Sequence, residues 1–267
     1  EVATTWQVDG LPHAPGRDTA AILEAAASGS LGALVVGGVD PADLGVAGAA
    51  QALENPFVVS LEIRPSAVTA VADVVLPVAA HAEKAGSFFD WEGRVRAFTA
   101  ALDTAHVSDY RALGMLADEM GEFLGTRTLR EVRAEMAALG RWAGERPAAP
   151  EVEAGEVPSP DDGTLVLATW RHLLDRGSLQ DGEPFLAGTA PRPVARLSAS
   201  TAAALGVVDG DHLWVGVGET RVTAPVLVCQ MADHVVWLPT NSAGCDLRPA
   251  LAGAPGALVS VTKEEQA

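Results

Sequence analysis

The feature that most constrains the fold is an alternation of helical and strand-like segments over about the first 80 residues. The strand-like segments are continuously apolar and read ALVV at 33–36, FVVSLEI at 57–63 and VVLPV at 74–78. Helical patterns precede them at 19–27, 47–54 and 66–72. Strands that are apolar on both faces are typical of a parallel sheet covered by helices on both sides. The sequence therefore predicts an α/β domain built on a parallel sheet.

Glycine and polar residues follow each predicted strand. They are Gly37, Gly38 and Asp40 after the first, Glu62 and Arg64 after the second, and residues 83–94 after the third. Ligands of parallel sheets bind beyond the carboxyl ends of the strands. These positions are therefore the first candidates for a site.

Two longer helices are predicted after this region. The pattern at 108–124 places Leu113, Leu116, Met120 and Phe123 on one stripe. Thr128 and Glu131 have capping-box spacing for a second helix, with Leu129, Val132, Met136 and Leu139 on its inner face. We expect both stripes to pack on a core.

The second half of the chain has a different pattern. Residues 146–163, RPAAPEVEAGEVPSPDDG, are rich in Pro, Glu and Gly and predict a linker. Six short apolar runs with turn residues between them follow in 164–267, together with one short helix at 201–205. Because closure removes exposed edges, this mainly β part predicts a barrel or a compact sandwich.

Acidic residues outnumber basic ones, and this limits the partners. The 267 residues contain 18 Lys and Arg against 35 Asp and Glu, which gives a formal net charge of −17. Nucleic acids and anionic membranes attract positive surfaces, so we expect no nucleic acid partner. No run approaches the about 20 apolar residues of a membrane span, so we expect no direct membrane insertion. The default compartment is the cytoplasm, and the start without Met indicates a piece of a longer chain.

Motifs of a stand-alone enzyme are absent from the sequence. It contains no GxxxxGK[ST], GxGxxG, HExxH or GxSxG pattern. Cys229 and Cys245 lack metal-ligand spacing, which predicts no metal site. His81 lies near Glu83 and Asp90 in sequence, but proximity in sequence does not establish a general base. We therefore predict no catalytic residue in this stretch.

The segment 55–98 resembles a hallmark of the molybdopterin oxidoreductase superfamily. It contains ADVVLP at 72–77, EKAGSFF at 83–89 and DWEGR at 90–94. In that superfamily the last motif tends to read N-x-E-R-R in formate dehydrogenase and nitrate reductase relatives. It tends to read N-W-E-G-R in the large iron–sulfur subunit (the G subunit) of NADH:quinone oxidoreductase, or complex I. Asp90 replaces the usual Asn and Ser87 the common Thr, and both changes leave the resemblance to the complex I branch intact.

A second resemblance lies in the β-rich half. ARLSASTAAALGVVDGDHLW at 195–214 and the strand that ends in LP at 238–239 resemble the molybdopterin-dinucleotide-binding double-psi β-barrel of the same superfamily. The two resemblances together imply a Rossmann-like α/β domain at 1–145, a linker at 146–163 and a mainly β barrel domain at 164–267.

The resemblance to the G subunit implies a structural, non-catalytic C-terminal portion of the peripheral arm of complex I. This portion would support NADH-to-quinone electron transfer coupled to proton translocation. Iron–sulfur clusters are expected in an N-terminal part of the subunit that this chain lacks, and no cofactor is expected here. The expected partners are other peripheral-arm subunits, both NADH-binding and iron–sulfur ones, on the cytoplasmic side of the bacterial inner membrane.

The pterin pocket of the superfamily would then be a relic. Its candidate residues are Gly37, Asp40, Glu62, Asp73, Glu83, Arg94 and Asn241. Ion pairs and hydrogen bonds at a domain interface are expected from Lys84, Glu92, Arg94 and Arg96. Apolar packing that anchors the loop is expected from Phe88, Phe89 and Trp91.

Two alternatives stay open from the sequence. The first is the cofactor-binding portion of a molybdenum or tungsten enzyme such as a formate dehydrogenase, which holds molybdopterin guanine dinucleotide. Glu62, Asp73 and residues 241–244 would then be candidate contacts. The second is an independent acidic protein that binds a small ligand, which a reading frame beginning near Glu1 would support.

Overall fold

The structure is a computed structural model that describes residues 1–141, 144–145, 148–149, 151, 159–161, 163–217, 220–247 and 255–264. The chain divides into two compact units. Unit 1 comprises residues 1–39 and 51–151, and unit 2 comprises residues 40–50 and 152–267. Most of the predicted linker 146–163 lies outside the described residues. The predicted domain boundaries therefore stay a prediction.

A three-stranded parallel sheet forms the centre of unit 1. Its strands are β1 (Ala33–Gly37), β2 (Phe57–Glu62) and β3 (Val74–Pro77), in the order β1-β2-β3. The helices of this region are α1 (Val2–Thr5), α2 (Thr19–Ala27) and α3 (Ala49–Ala52). Asp18 caps α2 by accepting a hydrogen bond from the Ala21 N–H at 2.8 Å. The parallel pairing is thus present, and helices precede β1 and β2 as predicted.

The predicted helix at 66–72 does not form. Pro65 precedes this segment, and Ser66 and Thr69 form hydrogen bonds with each other. The Ser66 N–H donates to Thr69 Oγ1 at 2.8 Å, and Thr69 Oγ1 donates to the Ser66 carbonyl at 2.9 Å. The segment makes two helical-type backbone hydrogen bonds, from the Ala70 N–H to the Ser66 carbonyl at 3.2 Å and from the Ala72 N–H to the Val68 carbonyl at 3.0 Å, which are too few for a regular helix. The segment is therefore a series of turns that leads directly into β3.

The second part of unit 1 is a hairpin followed by two helices. The hairpin consists of β4 (Gly86–Phe89) and β5 (Val95–Phe98), which pair antiparallel as a separate two-stranded sheet. The helices are α4 (Asp109–Glu119) and α5 (Leu129–Ala138). The predicted capping box of α5 is present, since Thr128 Oγ1 accepts from the Glu131 N–H at 3.2 Å and Glu131 accepts from the Thr128 N–H at 2.7 Å.

The expectation that the large apolar stripes of these helices pack on a core is wrong. In α4 the buried residues are Ala112 and Gly114, and Ala112 joins Leu61 and Val78 in a small core cluster. Phe123, at the end of the predicted stripe, is 70% exposed. None of the α5 residues is buried. The small residues of α4 approach the core, and the large ones face away from it.

Unit 2 is built on a closed six-stranded barrel. Its strands are β6 (Thr164–Trp170), β7 (Ala195–Leu197), β8 (His212–Val217), β9 (Thr220–Val228), β10 (Val235–Pro239) and β11 (Leu258–Lys263). Its helices are α6 (Pro184–Ala187) and α7 (Ala199–Leu205). The strand order is β10-β6-β11-β8-β9-β7, with parallel pairing of β6 with β10 and of β7 with β9.

The barrel core follows the period-2 pattern of its strands. Alternate residues are buried, such as Leu165 and Leu167 in β6 and Leu213 and Val215 in β8. The predicted fold class, a parallel-sheet α/β unit with a mainly β barrel unit, is confirmed. No helix in the described part of the chain is long and apolar enough to span a membrane.

Candidate functional site

The DWEGR motif forms the tight turn between β4 and β5. Asp90 Oδ1 accepts hydrogen bonds from the N–H groups of Glu92 at 3.0 Å and Arg94 at 2.9 Å. Gly93 adopts φ +75°, a conformation that glycine takes at little cost. The second carboxylate oxygen of Asp90 lies 3.2 Å from Nε of Arg96. The motif therefore fixes the geometry of an exposed turn.

Charged side chains of this loop pair with near neighbours. Arg94 forms an ion pair with Glu92, and Lys84 forms one with Asp109. Lys84, Glu92, Arg94 and Arg96 thus each form an ion pair within unit 1, and their expected place at a domain interface stays a prediction.

Apolar anchoring of the loop is a wrong expectation for this chain. Phe88 and Phe89 are each 62% exposed, and Trp91 is 105% exposed at the tip of the turn. A hairpin of two strands has no second layer to cover these rings. Phe88 stacks on Phe98 at 5.1 Å between ring centroids, and this is the aromatic contact that the hairpin makes.

Gly86 and α5 support the base of the hairpin. A Cβ at Gly86 would lie 2.6 Å from Cζ of Phe98, so the ring occupies the space of a side chain. From α5, Nη2 of Arg133 donates to the Gly86 carbonyl and to Ser87 Oγ, each at 3.2 Å. Sequence reasoning missed Arg133, because no local pattern connects residues 47 positions apart.

The contacts of Glu83 differ from the grouping of His81, Glu83 and Asp90 that the sequence suggests. One carboxylate oxygen accepts from the Ala80 N–H at 2.9 Å, and both lie 3.3 Å from Nδ1 of His106. The Ala80 hydrogen bond, followed by those of His106 and Thr104, lowers the pKa of Glu83. The nearby histidine in space is therefore His106 and not His81. The pair has the form of a local ion pair and is too exposed to act as a shielded acid–base site.

The candidate site residues of the parallel sheet lie at opposite ends of its strands. Gly37 ends β1, and Glu62 ends β2, where its Oε1 accepts from the Ile63 N–H at 2.9 Å. Asp73 instead precedes β3 and accepts from the Val58 N–H at 2.7 Å, at the start of β2. The structure thus brings Gly37 and Glu62 to the carboxyl edge and places Asp73 at the amino edge. Asp73 there has a structural role, because it extends the pairing of β2 with β3.

A cleft of about 410 Å³ lies within unit 2. Its polar lining comprises Asp43, Arg171, His172, Asp175, Ser178, Gln180 and Asn241. Asp40 is a helix cap and not part of this lining, since its Oδ1 accepts from the Ala42 N–H at 2.9 Å. Of the sequence-predicted residues, Asn241 is the one that the structure places in the cleft.

Asp43 is the main acceptor in the cleft. Its Oδ2 accepts from the Ser178 N–H at 3.0 Å, and its Oδ1 lies 3.4 Å from Nδ2 of Asn241. The Asn241 carbonyl in turn accepts from the Arg176 N–H at 2.9 Å. Sequence reasoning missed Asp43, although the pattern D-P-A-D at 40–43 does signal a capped turn after β1.

A Ser–His pair also lines this region. Ser242 Oγ lies 3.2 Å from Nδ1 of His172, and the imidazole packs at 5.6 Å from the Trp237 ring. Ser242 is only 3% exposed. A nucleophile must reach its substrate, so this buried hydroxyl serves to hold His172 in place.

The thiol of Cys245 is not a reactive group in the folded chain. Cys245 is buried, and this burial raises its pKa to about 11. A thiolate is the form that attacks and binds metals. In the described ranges, no group of three or more His, Cys, Asp or Glu side chains is placed to hold a metal ion.

The sequence and the fold of the chain are both similar to those of known proteins. Residues 7–107 match the sequence profile of the family described as Molybdopterin oxidoreductase. Acetylene hydratase from Pelobacter acetylenicus has a similar fold, with a TM-score of 0.54 over 91% of this chain and 46% of that one, at 17% identity. The predicted relationship to the molybdopterin oxidoreductase superfamily is confirmed.

Two relatives show a closer sequence similarity to this chain. The G subunit of NADH-quinone oxidoreductase from Streptomyces coelicolor is 51% identical, and the match covers 98% of this chain and 32% of the relative. The G subunit of the same enzyme from Mycobacterium bovis is 48% identical, and the match covers 98% of this chain and 33% of the relative. The predicted relationship to this subunit is confirmed, and the chain spans about a third of the length of these relatives.

Proposed function

We propose that this chain is a structural, non-catalytic portion of the G subunit in the peripheral arm of NADH:quinone oxidoreductase. The observation that carries the proposal is the identity of 48% and 51% to two such subunits over 98% of the chain. In this role the chain supports NADH-to-quinone electron transfer coupled to proton translocation. Its partners are the other peripheral-arm subunits, both NADH-binding and iron–sulfur ones.

The chain itself carries no electrons in this proposal. The iron–sulfur clusters belong to a part of the subunit outside this stretch. The thiol pKa of about 11 at Cys245 supports this assignment, because a protonated thiol is a poor metal ligand.

The cleft of unit 2 does not suit the pterin dinucleotide of the superfamily. Such a ligand is anionic and needs hydrogen-bond donors for its phosphates. In the cleft, the Ser178 N–H and the Asn241 amide face the carboxylate of Asp43, and the Gly177 N–H donates to Asp175 at 2.8 Å. We therefore propose that no pterin binds here and that the pocket is a relic.

We place the chain on the cytoplasmic side of the bacterial inner membrane, as a peripheral part of a membrane complex. The net charge of −17 supports the absence of a nucleic acid or lipid headgroup partner. The exposed hairpin tip with Trp91 provides an apolar surface that suits docking within the assembly.

The test is elemental analysis of the native assembly purified through this polypeptide. Iron, molybdenum and tungsten are counted per copy of the chain, and NADH oxidation with a quinone acceptor is measured on the same sample. Several irons per copy without molybdenum or tungsten, together with NADH oxidation, support the proposal. Stoichiometric molybdenum or tungsten would favour the alternative, a pterin enzyme such as a formate dehydrogenase.

A further inference from the structure

We infer that Asp43 acts as a built-in anion that closes the cleft of unit 2 and takes the place of a bound phosphate-type ligand. The inference rests on the proposed function, in which the chain binds no pterin. It goes beyond that function by assigning the closure to one carboxylate and by predicting what its removal exposes.

The geometry of Asp43 is that of a bound anion. Its two oxygens face donors from two separate segments of unit 2, the Ser178 N–H at 3.0 Å and the Asn241 amide at 3.4 Å. These donors are 135 and 198 residues from Asp43 in sequence. A carboxylate that joins distant donors in this way stabilises the closed arrangement, since hydrogen bonds to charged groups are stronger than neutral ones.

The walls of the cleft are tied to each other as well. The Arg176 N–H donates to the Asn241 carbonyl at 2.9 Å, and the Arg176 guanidinium pairs with Asp246. Ser242 holds His172 at 3.2 Å. The segment 171–180 is therefore fixed on the segment 240–246, with Asp43 bound to both.

A second carboxylate reinforces the closure. Asp175 Oδ1 accepts from the Gly177 N–H at 2.8 Å, and a Cβ at position 177 would lie 3.0 Å from that oxygen. Glycine thus leaves the space that this carboxylate needs. Asp43 and Asp175 place two negative charges in the cleft, and Arg171 on the same lining carries a positive one. Removal of the Asp43 charge therefore makes the cleft more favourable for another anion.

The turn that carries Asp43 is built to present it. Asp40 caps the 3₁₀ turn Pro41–Leu44, the Asp43 N–H donates to the Asp40 carbonyl at 3.0 Å, and Gly45 ends the turn at φ +69°. Pro41 is buried and fixes the start of the turn. Asp40, a residue singled out from sequence, therefore positions Asp43 and does not contact a ligand itself.

The test uses the native assembly with Asp43→Ala or Asp43→Asn in this chain. Asp161→Asn is the matched control, because it removes one exposed carboxylate of unit 2 that makes no side-chain hydrogen bond in the described structure. Hydrogen–deuterium exchange is followed by mass spectrometry on peptides that cover 171–180 and 240–247. Each sample is measured with and without millimolar inorganic pyrophosphate. The readout is local, so pyrophosphate bound elsewhere in the assembly does not affect it.

For the wild type and for Asp161→Asn, we expect slow exchange that pyrophosphate does not change. For Asp43→Ala, we expect exchange about tenfold faster, which is the effect of losing a hydrogen bond to a charged acceptor. Pyrophosphate should then slow the exchange again, because the Ser178 N–H and the Asn241 amide lose Asp43 as acceptor and can donate to another anion. Asp43→Asn keeps the size of the side chain, and the same pyrophosphate effect is expected if the alanine variant fails to assemble.

Two results would overturn the inference. The first is that pyrophosphate does not change the hydrogen–deuterium exchange of the cleft peptides in the Asp43→Ala variant. The second is that pyrophosphate slows the exchange of these peptides in the wild type as strongly as in the variant. Neither result depends on the metal content of the assembly, so a failure here is distinct from a failure of the proposed function.

Discussion

Asp90→Ala is the substitution that tests the DWEGR turn most directly. The carboxylate of Asp90 accepts two backbone N–H groups at 3.0 and 2.9 Å and pairs with Arg96 at 3.2 Å. Removing a side-chain acceptor of this type costs about 1 kcal/mol. The Arg96 pair is largely exposed and adds between about 0 and 1 kcal/mol. We therefore expect the hairpin to lose about 1–2 kcal/mol of local stability.

Asp90→Asn is the matched control for this prediction. Its carbonyl oxygen keeps the acceptor for both backbone N–H groups and loses only the ion pair with Arg96. Because an exposed ion pair contributes little, the expected loss is about 0.5 kcal/mol or less. The expectation also gives a physical reason why Asn is the usual residue of the superfamily at this position.

The assay is hydrogen–deuterium exchange of peptides that cover residues 84–99 in the native assembly. Asp90→Ala should exchange about 5- to 30-fold faster than the wild type, which corresponds to about 1–2 kcal/mol. Asp90→Asn should exchange at most about twofold faster. An asparagine variant as fast as the alanine variant would refute the reasoning, since it would assign the stability to charge and not to the turn.

Three further predictions concern docking, pH and thiol chemistry. Trp91→Ala should leave the unfolding midpoint of the chain unchanged. It should lower co-purification of the chain with other subunits about tenfold, as expected of an interface anchor. The control Trp170→Ala, at another exposed site, should not lower this co-purification. Because its pKa is lowered from 4.5 in the folded chain, Glu83 stabilises the fold above that pH, and this contribution disappears as the pH falls through the folded pKa. The unfolding curves of Glu83→Gln and of the wild type should therefore converge at acid pH. Cys245, with its pKa raised to about 11, should resist alkylation at about pH 8 until the chain unfolds, while the half-buried Cys229 reacts earlier.

The barrel was the more predictable half, for a physical reason. Most of its strands alternate buried with less buried residues, and the sequence between the strands is rich in Gly and Asp, so the pattern is readable locally. The segment 195–214 predicted β7, α7 and the start of β8, all of which are present. Sequence alone did not give the strand order, since pairing such as Val236 with Leu167 joins residues far apart in the chain.

Burial in unit 1 was less predictable. The stripe Leu113, Leu116, Met120 and Phe123 has the helical period expected of a core face, yet these side chains are exposed. A period shows that a helix has an apolar face and does not show what covers that face. In the same way, the sequence identified the acidic turn at 40–43 but not which of its two aspartates enters the cleft.

The exposure of apolar side chains in the two units bears on the second alternative, an independent acidic protein that binds a small ligand. The barrel of unit 2 encloses one continuous apolar core, but Trp170 and Phe185 of this unit are exposed. Unit 1 leaves both Val35 in β1 and Val75 in β3 exposed, together with the α4 stripe and the Trp91 tip. Large exposed apolar areas mark interaction surfaces, because water penalises them in a free protein. The exposed apolar side chains of both units therefore favour a component of an assembly over a free-standing binding protein.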